Sequence, residues 1–78
     1  MKRVIRNKKT RQFLAKDGRW TSDHTAAMVF ANVKAVEAIY EAQSLKNVEE
    51  VLMVGDEPSA RYDVIVPLPF ELKPLRRN

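Results

Sequence analysis

Residues 17–24 include three side chains of types that commonly take part in catalysis, namely Asp17, Asp23 and His24. A histidine beside a carboxylate can act as a general acid or base when a substrate pocket surrounds the pair. Each aspartate also has a structural explanation, because Asp17 precedes Gly18 in a turn and Asp23 lies where a helix is predicted to start. We therefore predict that His24 is a surface residue and that the chain is not an enzyme.

Metal and cofactor sites lack the residues that they need. The chain has no cysteine and one histidine, which leaves only carboxylates as metal ligands. The acidic pairs at 49–50 and 56–57 lack the spaced loop and the central glycine of a calcium-binding hand. Gly18 and Gly55 are the only glycines, too few for a glycine-rich phosphate loop. We expect neither a bound metal nor a cofactor.

Positive charge is concentrated in the first quarter of the chain. Eight basic residues against one acidic residue give residues 1–19 a net charge of +7, and three against nine give residues 20–72 a charge of −6. Three more basic residues give residues 73–78 a charge of +3. This asymmetry is typical of a protein that contacts a polyanion, and equally of a soluble surface whose opposite charges screen one another.

Two short runs, KRVIR at 2–6 and RQFLAK at 11–16, predict the strands of a basic hairpin with NKKT at its tip. The predicted register places Arg6 opposite Arg11, which costs stability unless an anion lies between them. The phosphates of a nucleic acid would supply that anion, with strong salt dependence and no sequence-specific contact. The residues predicted to bind phosphate are Arg3, Arg6, Lys8, Lys9, Arg11, Lys16 and Arg19, with Lys73, Arg76 and Arg77 as additional candidates.

Two alternatives to nucleic-acid binding remain open at this point. Basic residues on an edge strand also prevent unwanted sheet pairing, so the hairpin can be a solubilising edge. The partner can instead be a protein, because the proline-rich arm after residue 66 favours an extended backbone suited to a groove or a sheet edge. A homodimer would add buried area to so small a core. The residues predicted to bind a protein partner are Pro67, Leu68, Pro69, Phe70 and Leu72.

The segment after the hairpin contains a turn followed by helical patterns. Asp17-Gly18 predicts a two-residue hairpin turn, whose register places Trp20 in the core beside Phe13 and Ala15. Ser22 and Asp23 are candidate caps for a short first helix over the apolar residues that follow. A longer second helix is predicted from an Asn32 cap to Asn47, with its apolar stripe at Val33, Val36, Ile39 and Tyr40.

Two more strands are predicted, at 48–54 and 62–66, which completes an α+β fold. We expect a small, mainly antiparallel sheet, built from an N-terminal hairpin or meander plus C-terminal strands. One short and one longer helix would pack on one face. At 78 residues the chain has room for a single small core. The predicted domain covers residues 1–66, and residues 67–78 form an extended basic arm.

The stretch FLAKDGRWTSDHTAAMVFANVKAVEA, residues 13–38, resembles small uncharacterised bacterial and phage-related proteins. The resemblance covers about the central third of the chain and implies a hairpin-plus-helix module without an established activity. The positions that carry it are Phe13, Leu14, Asp17, Gly18, Trp20, Thr21, Asp23, Ala26, Phe30, Ala35 and Ala38.

The sequence contains no apolar run of the length that a signal peptide or a membrane span requires. The absence of cysteine is compatible with a reducing compartment. We expect a cytoplasmic protein that does not enter a membrane.

Overall fold

The computed structural model describes residues 2–68 as an antiparallel sheet with one α-helix. The elements in chain order are β1 (Lys2–Asn7), β2 (Phe13–Leu14), β3 (Trp20–Thr21), a 3-10 turn (His24–Ala26), α1 (Val33–Ala42), β4 (Val48–Met53) and β5 (Val64–Pro67). The predicted antiparallel sheet is confirmed. Within residues 2–68 no helix has the length and hydrophobicity needed to span a bilayer.

The basic first strand lies in the middle of the sheet. The strand order is β3-β2-β1-β4-β5. β1 pairs with β4 over six positions, from Lys2 opposite Met53 to Asn7 opposite Val48. Its basic residues therefore do not protect a sheet edge, and the solubilising-edge interpretation of this strand is wrong.

The predicted first helix is only a 3-10 turn, so the prediction of two helices is not confirmed. Asp23 caps this turn as expected, because its Oδ1 accepts a hydrogen bond from the Thr25 N–H at 2.9 Å. Residues 27–30 then become extended, and the Phe30 N–H donates to the Arg3 carbonyl at 2.8 Å. This segment bridges to both β1 and β2, which pair directly at one position. Its backbone groups hydrogen-bond to the sheet and cannot also continue a helix.

The Asp17-Gly18 turn has three loop residues instead of the predicted two. The Gly18 N–H donates to the Ala15 carbonyl at 3.0 Å, and the Ala15 N–H donates to the Arg19 carbonyl at 2.8 Å. Gly18 has a φ of +85°, the left-handed conformation that closes a three-residue hairpin loop. One additional loop residue moves every following side chain of the strand to the opposite face.

Trp20 therefore lies on a different face from the predicted one. It pairs with Leu14, whereas Phe13 pairs with Thr21. Its indole is half-buried and packs against the apolar cluster beneath α1. The predicted position beside Phe13 and Ala15 is wrong, because the extra loop residue shifts the register by one.

α1 begins as predicted and ends earlier than predicted. The Asn32 Oδ1 accepts a hydrogen bond from the Ala35 N–H at 2.9 Å, which confirms the N-cap. The helix ends at Ala42, five residues before Asn47. Its end is closed by hydrogen bonds to the last carbonyls, and Ser44 adopts the left-handed conformation with a φ of +48°.

Side-chain alternation along the strands places apolar clusters on both faces of the sheet. α1 packs on the first, which we call the helix-side cluster and which contains the buried residues Ile5, Leu14, Phe30, Val36 and Val48. The second cluster contains Val4, Phe13, Ala27, Val51 and Met53. β1, β2 and β4 each contribute to both clusters, so the core is built on the three central strands of the sheet.

Candidate nucleic-acid interface

The turn between β1 and β2, residues 8–11, presents cationic side chains on a fixed backbone. The Asn7 Oδ1 accepts hydrogen bonds from the Lys9 N–H at 2.8 Å and from the Thr10 N–H at 3.0 Å. Arg11 closes the turn with a φ of +65°, and its N–H donates to the Asn7 carbonyl at 2.9 Å. All four side chains of this basic turn are exposed.

Arg6 does not face Arg11, so the predicted register of the hairpin is wrong. Arg6 is opposite Phe13 in β2 and opposite Glu49 in β4. Its Nε and Nη2 donate to the Glu49 Oε2 at 2.9 and 2.6 Å. The Arg11 Nη1 lies 3.6 Å from the same oxygen. The anion expected near these two arginines is thus supplied by a carboxylate of the protein itself.

Arg3 is also paired across the sheet. Its Nη1 donates to the Glu50 Oε2 at 2.6 Å, and the Glu50 side chain is only 1% exposed. The Glu50 Oε1 is buried and has no hydrogen-bond partner within the described part of the chain. A buried carboxylate depends on its one cationic neighbour, because an unpaired buried charge is strongly destabilising. Arg3 therefore stabilises the fold by neutralising the buried Glu50 carboxylate.

Lys16 and Arg19 form a second cationic group, in the loop between β2 and β3. This loop follows the end of β2, whereas the basic turn precedes its start, so the two groups lie at opposite ends of that strand. The Asp17 Oδ1 accepts a hydrogen bond from the Arg19 N–H at 2.9 Å, which confirms the structural role of Asp17. The Arg19 Nε lies 4.0 Å from the other oxygen of the same carboxylate.

Lys46 lies at the same end of the sheet as the basic turn, although it was not among the residues predicted to bind phosphate. The Lys8 N–H donates to the Asn47 carbonyl at 2.7 Å, and Asn47 has a φ of +57°. This contact holds the residue next to Lys46 against the turn, and the Lys46 side chain is exposed. The antiparallel pairing of β1 with β4 brings the start of one strand to the end of the other. Only knowledge of that strand order would have identified Lys46.

The candidate protein-binding residues fall partly within the described range. Pro67 is the last residue of β5 and lies opposite Glu49, and Leu68 packs against the helix-side cluster. The remaining arm candidates and the additional phosphate-binding candidates lie outside the described residues: Pro69, Phe70, Leu72, Lys73, Arg76 and Arg77.

The Asp23-His24 pair is part of a capped turn. The Asp23 carboxylate accepts hydrogen bonds from the Thr25 hydroxyl at 2.6 Å and from the Thr25 N–H at 2.9 Å. These bonds, the side-chain bond most of all, lower the pKa of Asp23 below its ordinary value. His24 is half-buried. Among residues 2–68 no three potential metal-binding side chains lie together.

No family model matches the sequence, and neither the curated proteins nor the solved structures include a match. The resemblance of residues 13–38 to small bacterial and phage-related proteins therefore stays a prediction.

Proposed function

We propose that the chain is a small non-enzymatic module that binds the backbone of a nucleic acid through the basic turn and Lys46. The observation that carries this proposal is the backbone hydrogen bond from Lys8 to Asn47, which brings the chain segments of three exposed lysines, Lys8, Lys9 and Lys46, to one end of the sheet. None of the three has a carboxylate of residues 2–68 at ion-pair distance. Exposed cations grouped in this way gain affinity for phosphates by releasing counterions from the nucleic acid.

The arginines of β1 have a different role in this proposal. Arg3 and Arg6 are already neutralised by buried carboxylates, and removing them from those partners would cost stability. Arg11 is largely exposed and is only loosely paired, so it can turn towards a phosphate at small cost. The proposed contacts are therefore Lys8, Lys9, Arg11 and Lys46, with Lys16 and Arg19 as a separate secondary group.

The chemistry of the turn favours backbone contacts over base recognition. Residues 8–11, KKTR, include no aromatic side chain on which a base could stack. Contacts to phosphates fix position but carry no sequence information. The proposed binding is consequently non-specific and sensitive to salt.

Fluorescence anisotropy of labelled duplex DNA, single-stranded DNA and RNA tests the proposal at low and at physiological salt. The test variant is Lys8→Glu with Lys9→Glu. The matched control is a double variant with the same charge change, Lys34→Glu on the exposed side of α1 with Lys2→Glu at the start of β1, neither of which belongs to a proposed contact group. We expect the test variant to lose affinity and its salt slope on duplex DNA to fall by about 1.8, since each phosphate contact contributes about 0.9.

Two outcomes would contradict the proposal. One is the absence of binding to all three nucleic acids at low salt. The other is an equal loss in the test and control variants, which would show that net charge alone, and not the basic turn, determines affinity. Circular dichroism of both variants establishes that each is folded before titration.

A protein-binding role is the second candidate, and a different feature favours it. Val64 and Ile65 of β5 expose apolar side chains at the edge of the sheet. Of the two arm candidates within the described range, Pro67 ends this strand and Leu68 packs on the core. The sheet edge is therefore the better-supported surface for a protein partner.

A further inference from the structure

β5 is an edge strand that is protected only by its short length of four residues and by Pro67 at its end. Within residues 2–68 it pairs only with β4, and the opposite edge, β3, is two residues long. The sequence of β5, VIVP, contains no charge. Val64 is 50% and Ile65 is 42% exposed. Uncovered edges normally carry charges or bulges, because their free N–H and C=O groups pair readily with another chain.

The apolar surface continues from this edge into the loop between β4 and β5. Val54 and Tyr62 are the exposed apolar residues at its two ends. The loop is held in place by Asp63, whose Oδ1 accepts from the Val54 N–H at 3.2 Å and whose Oδ2 accepts from the Ser59 N–H at 2.7 Å. Two hydrogen bonds thus fix the backbone of the loop that carries these apolar side chains. Exposed apolar patches often mark interaction surfaces.

We propose that the outer edge of β5 pairs with the same strand of a second copy, which creates a two-fold homodimer with a continuous ten-stranded antiparallel sheet. A two-fold interface uses the same patch on both copies, and a two-fold axis perpendicular to the sheet makes the two edge strands antiparallel. Because β5 is uncharged, the pairing brings no like charges face to face. Its valine and isoleucine side chains would instead form apolar cross-strand pairs.

The charge distribution favours a second copy of the chain as the partner at this edge. β5 starts opposite Leu52 and ends opposite Glu49. The loop 54–63 lies at the starting end and carries three acidic residues against one arginine. The other end of the sheet carries Lys46 and the basic turn. Antiparallel pairing of two copies places the acidic loop of each beside the basic end of the other, so the ends attract each other.

Sedimentation velocity of the full chain without nucleic acid tests the dimer across a wide concentration range. The test variant is Ile65→Lys, and the matched control is Val29→Lys, whose side chain is 53% exposed between the 3-10 turn and α1. We expect a concentration-dependent dimer for the unmodified chain and for the control, and a monomer for the test variant. Val64→Lys provides a second edge variant, and circular dichroism confirms that each protein is folded.

Charge reversal tests the arrangement of the two copies. Lys46→Glu should weaken the dimer, and adding Asp56→Lys with Glu57→Lys should restore it by re-establishing opposite charges. A monomer for the unmodified chain at every concentration would overturn the proposal, as would equal effects of Ile65→Lys and Val29→Lys. Failure of the charge rescue would overturn the antiparallel arrangement. Because nucleic acid is absent, these outcomes do not depend on the proposed nucleic-acid binding.

Discussion

Arg6 and Glu49 face each other across β1 and β4, and the guanidinium donates from Nε and Nη2 to a single carboxylate oxygen at 2.9 and 2.6 Å. Both residues are buried. An arginine fork that meets a carboxylate out of water is geometrically specific as well as charge-assisted. The pair therefore fixes the register of the central strands and also removes one arginine from the surface available to a ligand.

We predict that breaking this pair destabilises the fold. Removing one partner from a buried ion pair costs about 3–5 kcal/mol, because the other charge stays buried without a partner. Glu49→Leu alone should lower the free energy of unfolding by this amount, measured by urea denaturation. Arg6→Met should lower it by somewhat less, because the Arg11 Nη1 still lies 3.6 Å from the Glu49 Oε2. The double variant should recover most of it, since an apolar pair of similar size often replaces a buried ion pair without loss.

Arg19 provides the control for that experiment. Its side chain is exposed and reaches Asp17 only at 4.0 Å, so Arg19→Met should change stability by less than about 0.5 kcal/mol. A loss as large as that of Arg6→Met would contradict a specific role for the buried pair. So would a double variant that is as unstable as the single ones.

The second prediction concerns the left-handed turn at Gly18. A residue with a Cβ is strained at a φ of +85° by about 1–2 kcal/mol, although no atom lies near enough to clash. Gly18→Ala should therefore destabilise the protein by about 1 kcal/mol. Gly55 is the matched control, because its surroundings are also open and it does not share the left-handed φ. Gly55→Ala should be neutral or slightly stabilising in the same thermal unfolding measurement.

The third prediction tests the face on which Trp20 lies. The indole is half-buried, so Trp20→Ala should cost about 2 kcal/mol, less than the roughly 3–5 kcal/mol of a fully buried aromatic residue. In double-mutant cycles, Trp20→Ala should couple to Leu14→Val by more than about 0.5 kcal/mol and add independently to Phe13→Leu. Coupling to Phe13→Leu but not to Leu14→Val would instead support the register in which Trp20 lies beside Phe13.

Features fixed by neighbouring residues could be predicted from the sequence. The caps at Asp23 and Asn32 and the turn at Asp17 depend on a side chain and a backbone N–H only two or three positions away. Neighbouring residues could not show that the predicted first helix would be absent. Its sequence is compatible with a helix, but the backbone N–H groups of Met28 and Phe30 donate to β2 and β1 and are not available to a helix.

The candidate site was predictable only in part, because some of the arginines assigned to it pair with carboxylates that are distant in the sequence. Arg6 and Glu49 are 43 positions apart, and no local pattern indicates that they meet. The sequence shows a basic strand and an acidic strand, but it does not give their order in the sheet. The Asp-Gly turn had a similar ambiguity, since the same residues suit loops of two or three residues that place Trp20 on opposite faces.

The fourth prediction concerns pH and the Asp23 cap. The folded-state pKa of Asp23 is lowered from its ordinary value of 3.8, chiefly by the hydrogen bond from the Thr25 hydroxyl. A lowered pKa means that the folded state favours the ionised carboxylate. The stabilisation is therefore complete above pH 3.8 and is lost as the pH falls through the folded pKa.

An NMR titration of the Asp23 carboxyl should show a midpoint below 3.8. Asp23→Asn retains an acceptor oxygen but cannot ionise, so the stability difference between it and the unmodified protein should shrink on acidification. A midpoint at the ordinary value, or a difference that does not change with pH, would contradict an ionised cap.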